Sequence, residues 1–430
     1  MTYYALLLFF IVEYVRPGNY VPGVDALKLN LLVPVAAILG TLFRRSPVSN
    51  HEFLAEPNTM AMGALLFLLG ISTLLAVVTT YSFDVTKNVF SYMLIYMVLV
   101  RQCADRARIK GVFKSLVAAH VLAIALSPDI FKDSSGRASV TAGSFLGDGN
   151  DYALSVNICL PLCLFLLLES RKTLPKLFWL AATLLLVMSV VATKSRGGTI
   201  ALVVVSLYFW IKSKRKLMTA GIVLSAAAIV LIAAPPAYFN RMSTMTDTEE
   251  SSAQGRITAW KTAVGMAVAH PLMGAGAGHF PSAYGQANGG RWMTAHSIYF
   301  LLLGELGFPG LAVLLFLIFY NLAANRRLQR ELKAHDRERT IDASNLLGCT
   351  SASMVAFAVG GAFLSAAYYP HVYVVAGLHA AARRVVRREL AAETSLAARL
   401  HEHRADGSGL VTHGTISSGW RPRSVGTSRI

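Results

Sequence analysis

The sequence predicts an all-α polytopic membrane protein with about twelve transmembrane helices. Three observations carry that prediction. Hydrophobic residues make up 54% of the 430 and charged residues only 15%, where a soluble domain carries about a quarter charged. The apolar residues fall in blocks of roughly 15–22, the length that crosses a bilayer core as helix. No block alternates with the period of two that a barrel strand needs. Helix is also the form that closes its own backbone hydrogen bonds in lipid.

The expected spans, in order, are 2–15, 27–43, 60–80, 86–101, 110–127, 151–169, 176–192, 198–212, 217–235, 308–324, 344–366 and 370–383. The first is followed by Tyr14-Val15-Arg16-Pro17 and not by small residues of a cleavage site, so it reads as a retained helix. Orientation comes from the Lys and Arg residues. If the N-terminus is cytoplasmic, the cytoplasmic segments are those holding Arg44-Arg45, Arg101 to Lys110, Arg171 to Lys176, Lys212 to Lys216, Arg326 to Arg339, and the tail from Arg383. They contain 28 of the 40 basic residues, an asymmetry that places both termini in the cytoplasm. The formal charge of +17 is thereby a topology signal and does not call for a nucleic-acid partner. Cys103, Cys159, Cys163 and Cys349 have no metal-ligand company, and neither zinc nor disulfides are expected.

Residues 1–384 form the expected transmembrane domain, and 385–430 a basic cytoplasmic tail, expected to be disordered. Two external loops stand out, Ser127 to Asn150 and about Pro235 to Gly307. Long ordered loops usually carry function. The larger one holds a helix signal from Gly255 to Met266, with Ile257, Trp260, Ala263, Val264, Ala267 and Val268 on one face, acidic Asp247, Glu249 and Glu250 before it and Pro271 after it.

Three external polar sites could do chemistry. They are Thr193-Lys194-Ser195-Arg196-Gly197-Gly198, Arg256, and Ala295-His296-Ser297-Ile298-Tyr299-Phe300. Each is expected at the N-terminal end of a helix, where unpaired N–H groups and partial positive charge favour anions. An added arginine makes a phosphate site. Topology alone would put arginine on the opposite side, so external Arg196, Arg241, Arg256 and Arg291 need another reason. A pyrophosphate at the membrane surface supplies one. At His296 a helix N-terminus and nearby arginines disfavour the imidazolium, so a neutral ring could take a proton from a hydroxyl. The bland alternative is a histidine satisfied by a backbone partner, and His270 and His279 are rivals in the same loop. Gly274-Ala275-Gly276-Ala277-Gly278 follows no strand and reads as a turn. Asp148-Gly149-Asn150-Asp151 lacks the carboxylates of a calcium loop and is expected to cap the sixth span through Asn150 or Asp151. Glu305 is either structural, bonded to a helix end, or functional.

In order and spacing, Ser195-Arg196-Gly197-Gly198, Gly255-Arg256 with Trp260, His270-Pro271-Leu272 with Gly274 and Gly276, His296-Ser297 with Tyr299, and Glu305-Leu306-Gly307-Phe308 with Gly310 resemble the bacterial O-antigen ligase and polymerase superfamily. The segment Ser144 to Leu154 fits too. Glu13-Tyr14-Val15-Arg16-Pro17 and Ala295 to Phe300 are most similar to the exosortase A-associated O-glycosylation ligase branch. The resemblance implies a GT-C-like glycosyltransferase in the bacterial inner membrane, working on the periplasmic side by inversion, with no cofactor, nucleotide or metal. It implies an undecaprenyl-pyrophosphate-linked glycan as donor and a hydroxyl of a glycan, a lipid or a protein as acceptor. On this sequence Arg196 and Arg256 would hold the pyrophosphate and His296 would act on the acceptor hydroxyl. Glu305, Arg291, Asn150 and Asp151 are possible supports.

Ligase and polymerase share these motifs. A lipid-linked glycan transporter would need ionisable residues at mid-span or broken helices, in which the spans look poor. A scaffold subunit would leave the external arginines unexplained.

Overall fold

The computed structural model describes residues 1–43, 46–127, 145–234, 236–243, 251–333 and 337–405. Arg44-Arg45, most of the Ser127–Asn150 loop, the acidic residues Asp247, Glu249 and Glu250, the side chains of Arg241, Arg337 and Arg339, and the tail after Ala405 lie outside the described residues.

Sixteen α-helices are described, with no strand among the described residues. They are α1 (Thr2–Val15), α2 (Leu29–Phe43), α3 (Asn50–Leu54), α4 (Pro57–Leu75), α5 (Thr79–Gln102), α6 (Arg106–Leu126), α7 (Gly149–Glu169) and α8 (Thr173–Ala192). After these come α9 (Arg196–Lys212), α10 (Lys216–Ala233), α11 (Pro236–Ser243), α12 (Ser251–Ala269), α13 (Phe280–Ala287), α14 (Ile298–Leu332), α15 (Arg337–Gly361) and α16 (Pro370–Ala405). Each of the twelve expected spans falls on a helix. Among the described residues eight segments are long and apolar enough to cross a membrane: Val24–Phe43, α4 to α8, α14, and Thr340–Gly361. The protein is an all-α polytopic membrane protein. Helices α1, α9 and α10 are shorter apolar pieces, and α16 turns basic after one short apolar stretch.

Helix α7 is the middle of the bundle, packed on α6, α8, α9 and α15. From Ala153 to Cys163 its only polar residues are Ser155 and Asn157, and it is buried there on every side, as a helix without a continuous polar face must be. Asp148 starts it: its carboxylate accepts the Asn150 N–H at 2.8 Å. The cap is therefore Asp148, two residues before the expected Asn150 and three before the alternative Asp151. An acceptor that leaves the helix in extended conformation reaches back to the N2 amide, which residues already inside the first turn cannot do.

The loop helix α12 packs along the first part of α14. Its buried residues are Ala259, Ala263 and Ala267, while Val264 and Val268 are exposed. The expected face was thus displaced by about one residue. Small side chains every fourth position let two backbones approach closely, and this outweighs the burial of two valines. The aromatic end of the expected face does pack: Trp260 stacks on Phe300 with ring centres 5.0 Å apart.

Helix α14 contains a break. Gly307 has φ 64° and ψ −160°, outside helical geometry. The segment Pro271–Gly278 threads into the gap: the Ala275 N–H donates to the Gly304 carbonyl (2.8 Å), Gly276 to Glu305 (2.9 Å) and Phe308 to Pro271 (2.9 Å). A Cβ on Gly307 would lie 2.3 Å from the Pro271 oxygen, so the close approach and the positive φ both require glycine.

The bundle holds more buried ionisable groups than the spans suggested. Arg383 is 1% exposed and bonds Glu56 (2.6 Å) and Asn321 (2.7 Å), with its guanidinium 5.0 Å from the Tyr320 ring centre. Asn321 exchanges hydrogen bonds with Asn58 (2.9 and 3.0 Å), which joins α4, α14 and α16. His120, His371 and His379 are also buried. Hydropathy averages missed them because single polar residues vanish among apolar neighbours.

The chain after Val385 forms a separate unit. It is helical to Ala405, where irregular chain was expected. Ala391, Ala392, Leu396, Ala397 and Ala398 are good helix formers, and Ser and Gly become frequent only beyond residue 406.

Candidate active site

Two helix starts and one loop build a cleft. Asn150 and Leu154 come from the first turns of α7, and Ser195, Arg196, Gly197 and Gly198 from the start of α9. Arg256 of α12 and Gly360, Phe363 and Leu364 at the end of α15 complete it. The space enclosed by these side chains is small, about 10 Å³, and reaches about 350 Å³ only when the open solvent at its mouth is counted.

The α9 end is held rigidly. Ser195 is its N-cap, accepting the Gly198 N–H at 3.0 Å and donating to the Asn150 side-chain oxygen Oδ1 at 2.8 Å. From α7, the Asn157 amide donates to the Gly198 carbonyl at 3.0 Å. A Cβ on Gly198 would fall 2.6 Å from that of Ala153. The second glycine of Ser-Arg-Gly-Gly thus lets α9 begin flush against α7, which puts Arg196 at the first position of a 17-residue helix. There the guanidinium joins the partial positive charge of the helix end.

Arg256 lies elsewhere on its helix than expected. Helix α12 begins at Ser251, because Ser251 to Gln254 extend it toward the N-terminus. Arg256 therefore sits in the second turn, beyond the reach of the terminal dipole, which fades within the first. It brings charge to the cleft but no helix end.

His296 stands one residue before the Ser297 cap of α14, with φ 47°. Lys194, just before the α9 cap, has φ 53°. Non-glycine residues in the left-handed region are uncommon, and strained backbone gathers at functional sites. The His296 N–H donates to the Ser365 hydroxyl at 2.9 Å, and the Ala295 carbonyl accepts from the Trp260 indole at 3.0 Å. Ser365 adjoins Leu364 of the cleft wall. The structure therefore brings Arg196, Arg256 and Asn150 into one cleft, and ties the His296 backbone to the loop that walls it.

His296 itself and the other candidates fall outside the cleft lining. Glu305 is buried, its carboxylate accepting the N–H of Gly278 (2.8 Å) and Phe280 (3.0 Å) and the hydroxyl of Tyr368 (2.8 Å). These bonds tie it to the start of α13 and to the loop that carries Tyr368. Burial and the Glu305 carboxylate push the Tyr368 phenol well above its ordinary value, so it remains a donor. Arg291 is exposed in the turn before His296, and Asp151 is half-buried in α7. Of the rival histidines, His270 is exposed. His279 is buried, accepting the Val78 N–H at Nε2 (3.2 Å), with Nδ1 3.0 Å from the Ala277 carbonyl.

Residues 181–315 match the family model of the O-antigen ligases (Wzy_C). The match covers about a third of the chain and includes Arg196, Arg256, His296 and Glu305. It supports a membrane protein of ligase or polymerase type with glycosyltransferase-like chemistry, and with it a lipid-linked glycan donor. It does not reach the exosortase A-associated branch. No curated protein matches the chain.

The O-antigen ligase match stops before the loop 362–369, which sequence reading also overlooked. Phe363, Leu364, Ser365 and Tyr368 were hidden because Phe363 to Ala366 had been counted into the eleventh span. The only signal was Tyr368-Tyr369-Pro370, two aromatics and a helix starter between two apolar runs.

Proposed function

We propose that the chain is an O-antigen-ligase-type glycosyltransferase of the bacterial inner membrane, most similar to the exosortase A-associated branch. It transfers a glycan from undecaprenyl pyrophosphate to a hydroxyl acceptor. The cleft faces the periplasm and both termini are cytoplasmic. What supports this reading is one observation: Arg196 and Arg256, from separate helices, line the same cleft beside the capped start of α9.

In the reaction the acceptor O–H gives its proton to His296 while its oxygen bonds the anomeric carbon from the face opposite the leaving group. The bond from that carbon to the pyrophosphate oxygen breaks, and the configuration inverts. Negative charge grows on the departing undecaprenyl pyrophosphate. Two fixed guanidinium groups and the α9 amides meet it, in a site whose donors need no rearrangement. The alcohol is a poor nucleophile, which is why a base within hydrogen-bond reach is required.

The test uses purified protein in nanodiscs with undecaprenyl-pyrophosphate-linked oligosaccharide and a panel of lipid A–core, oligosaccharide and hydroxyl-bearing peptide acceptors. Mass spectrometry is expected to find a glycosylated acceptor and released undecaprenyl pyrophosphate. Counter-flow of labelled lipid-linked glycan between vesicles with no product formed would establish transport in its place.

A further inference from the structure

The loop between α15 and α16 lines the cleft and bonds both His296 and Glu305. Phe363 and Leu364 wall the cleft, with Phe363 packed 3.0 Å from where a Gly197 Cβ would stand. Ser365 accepts the N–H of His296. Tyr368 donates to Glu305, whose carboxylate also holds the amides at the start of α13. Leu364, Ala366 and Ala367 are buried, which seats the loop between these contacts. The start of α14 is joined to the end of α15 as well: the Tyr299 hydroxyl donates to the Ala358 carbonyl at 2.9 Å, and Ile298 fills the space that a Gly361 side chain would need.

His296 holds a left-handed backbone that a residue with a Cβ adopts at a cost. Such a conformation persists only when its surroundings dictate it. The His296 amide donates to the Ser365 hydroxyl. We propose that Ser365 and Tyr368 are positioning residues, which fix the distance between His296 and the Arg196–Arg256 cleft through one loop. Ser365 sets the His296 backbone, and the Tyr368–Glu305 bond anchors the loop that carries Ser365. This rests on the reading of His296 as base and of the two arginines as the pyrophosphate site. Neither positioning residue touches the reacting atoms. Displacing a reacting group by about 1 Å costs on the order of 100-fold in rate.

The experiment measures kcat and donor KM for Ser365→Ala, Ser365→Thr and Tyr368→Phe in the nanodisc assay, with thermal midpoints on the same samples. Ser365→Ala and Tyr368→Phe are expected to lower kcat by about 10–100-fold, with donor KM within twofold. Ser365→Thr, which keeps the acceptor oxygen, is expected to recover most of the loss. A merely structural loop would lower the midpoint and the active fraction without that rescue. Parent kcat in both Ser365→Ala and Tyr368→Phe overturns the inference, as does an equal loss in Ser365→Ala and Ser365→Thr. His296→Ala and Arg196→Ala run alongside: if those two are fully active, the reading of the site fails; if they are inactive and Ser365→Ala runs at the parent rate, only the positioning role fails.

Discussion

At Gly198 a single methyl group would collide with Ala153 at 2.6 Å, so this residue sets how closely α9 can start against α7. Gly198→Ala should overpack that junction and destabilise by about 1–3 kcal/mol, read as a lower thermal midpoint in detergent with reduced transfer. Arg196→Lys keeps the charge but loses the planar fork that grips phosphate oxygens in pairs. Donor KM should rise by about tenfold, the scale of one lost charge-assisted hydrogen bond, and titration of lipid-linked oligosaccharide against initial rate would show it. Arg196 was legible in the sequence because it is a charged residue where an apolar run begins. Ser365 was not, since one hydroxyl among Phe363, Leu364, Ala366 and Ala367 looks like bundle packing. Nor could the sequence say that Asn150 reaches Ser195, since that contact joins residues 45 apart.

The elements show a second kind of legibility. Each expected span overlaps a helix, eight described segments are long and apolar enough to cross a membrane, and Pro271 marked the end of α12. The face of α12 was misread because apolar character was weighed above size, whereas Ala259, Ala263 and Ala267 make the contact. The break at Gly307 was taken as the mouth of a span. In the structure it is a slot for Pro271–Gly278, closed by Glu305 at the head of α13. Glu305→Ala would leave the Gly278 and Phe280 amides without their carboxylate. Each unpaired buried amide costs about 1–3 kcal/mol, so the variant should unfold at a markedly lower temperature. Glu305→Gln, which retains an acceptor oxygen, should lose less. Equal midpoints for the parent and Glu305→Ala would show that this junction contributes nothing to stability.

Among the described residues, two of the polar clusters are the cleft at the start of α9 and the Arg383–Glu56–Asn321–Asn58 network that joins α4, α14 and α16. The second is a structural clamp. Arg383→Ala should destabilise by about 3–5 kcal/mol, because Glu56 is left without its partner, and Glu56→Gln in the same chain should recover part of that loss. A thermal double-mutant cycle measures the coupling. The first is where glycan transfer is proposed to occur, and its direct test is His296→Ala, with product formation and donor binding measured on one preparation. Loss of transfer by at least 100-fold, with undecaprenyl-pyrophosphate-linked oligosaccharide bound as tightly as by the parent, is the predicted result. Product formed at the parent rate would contradict it.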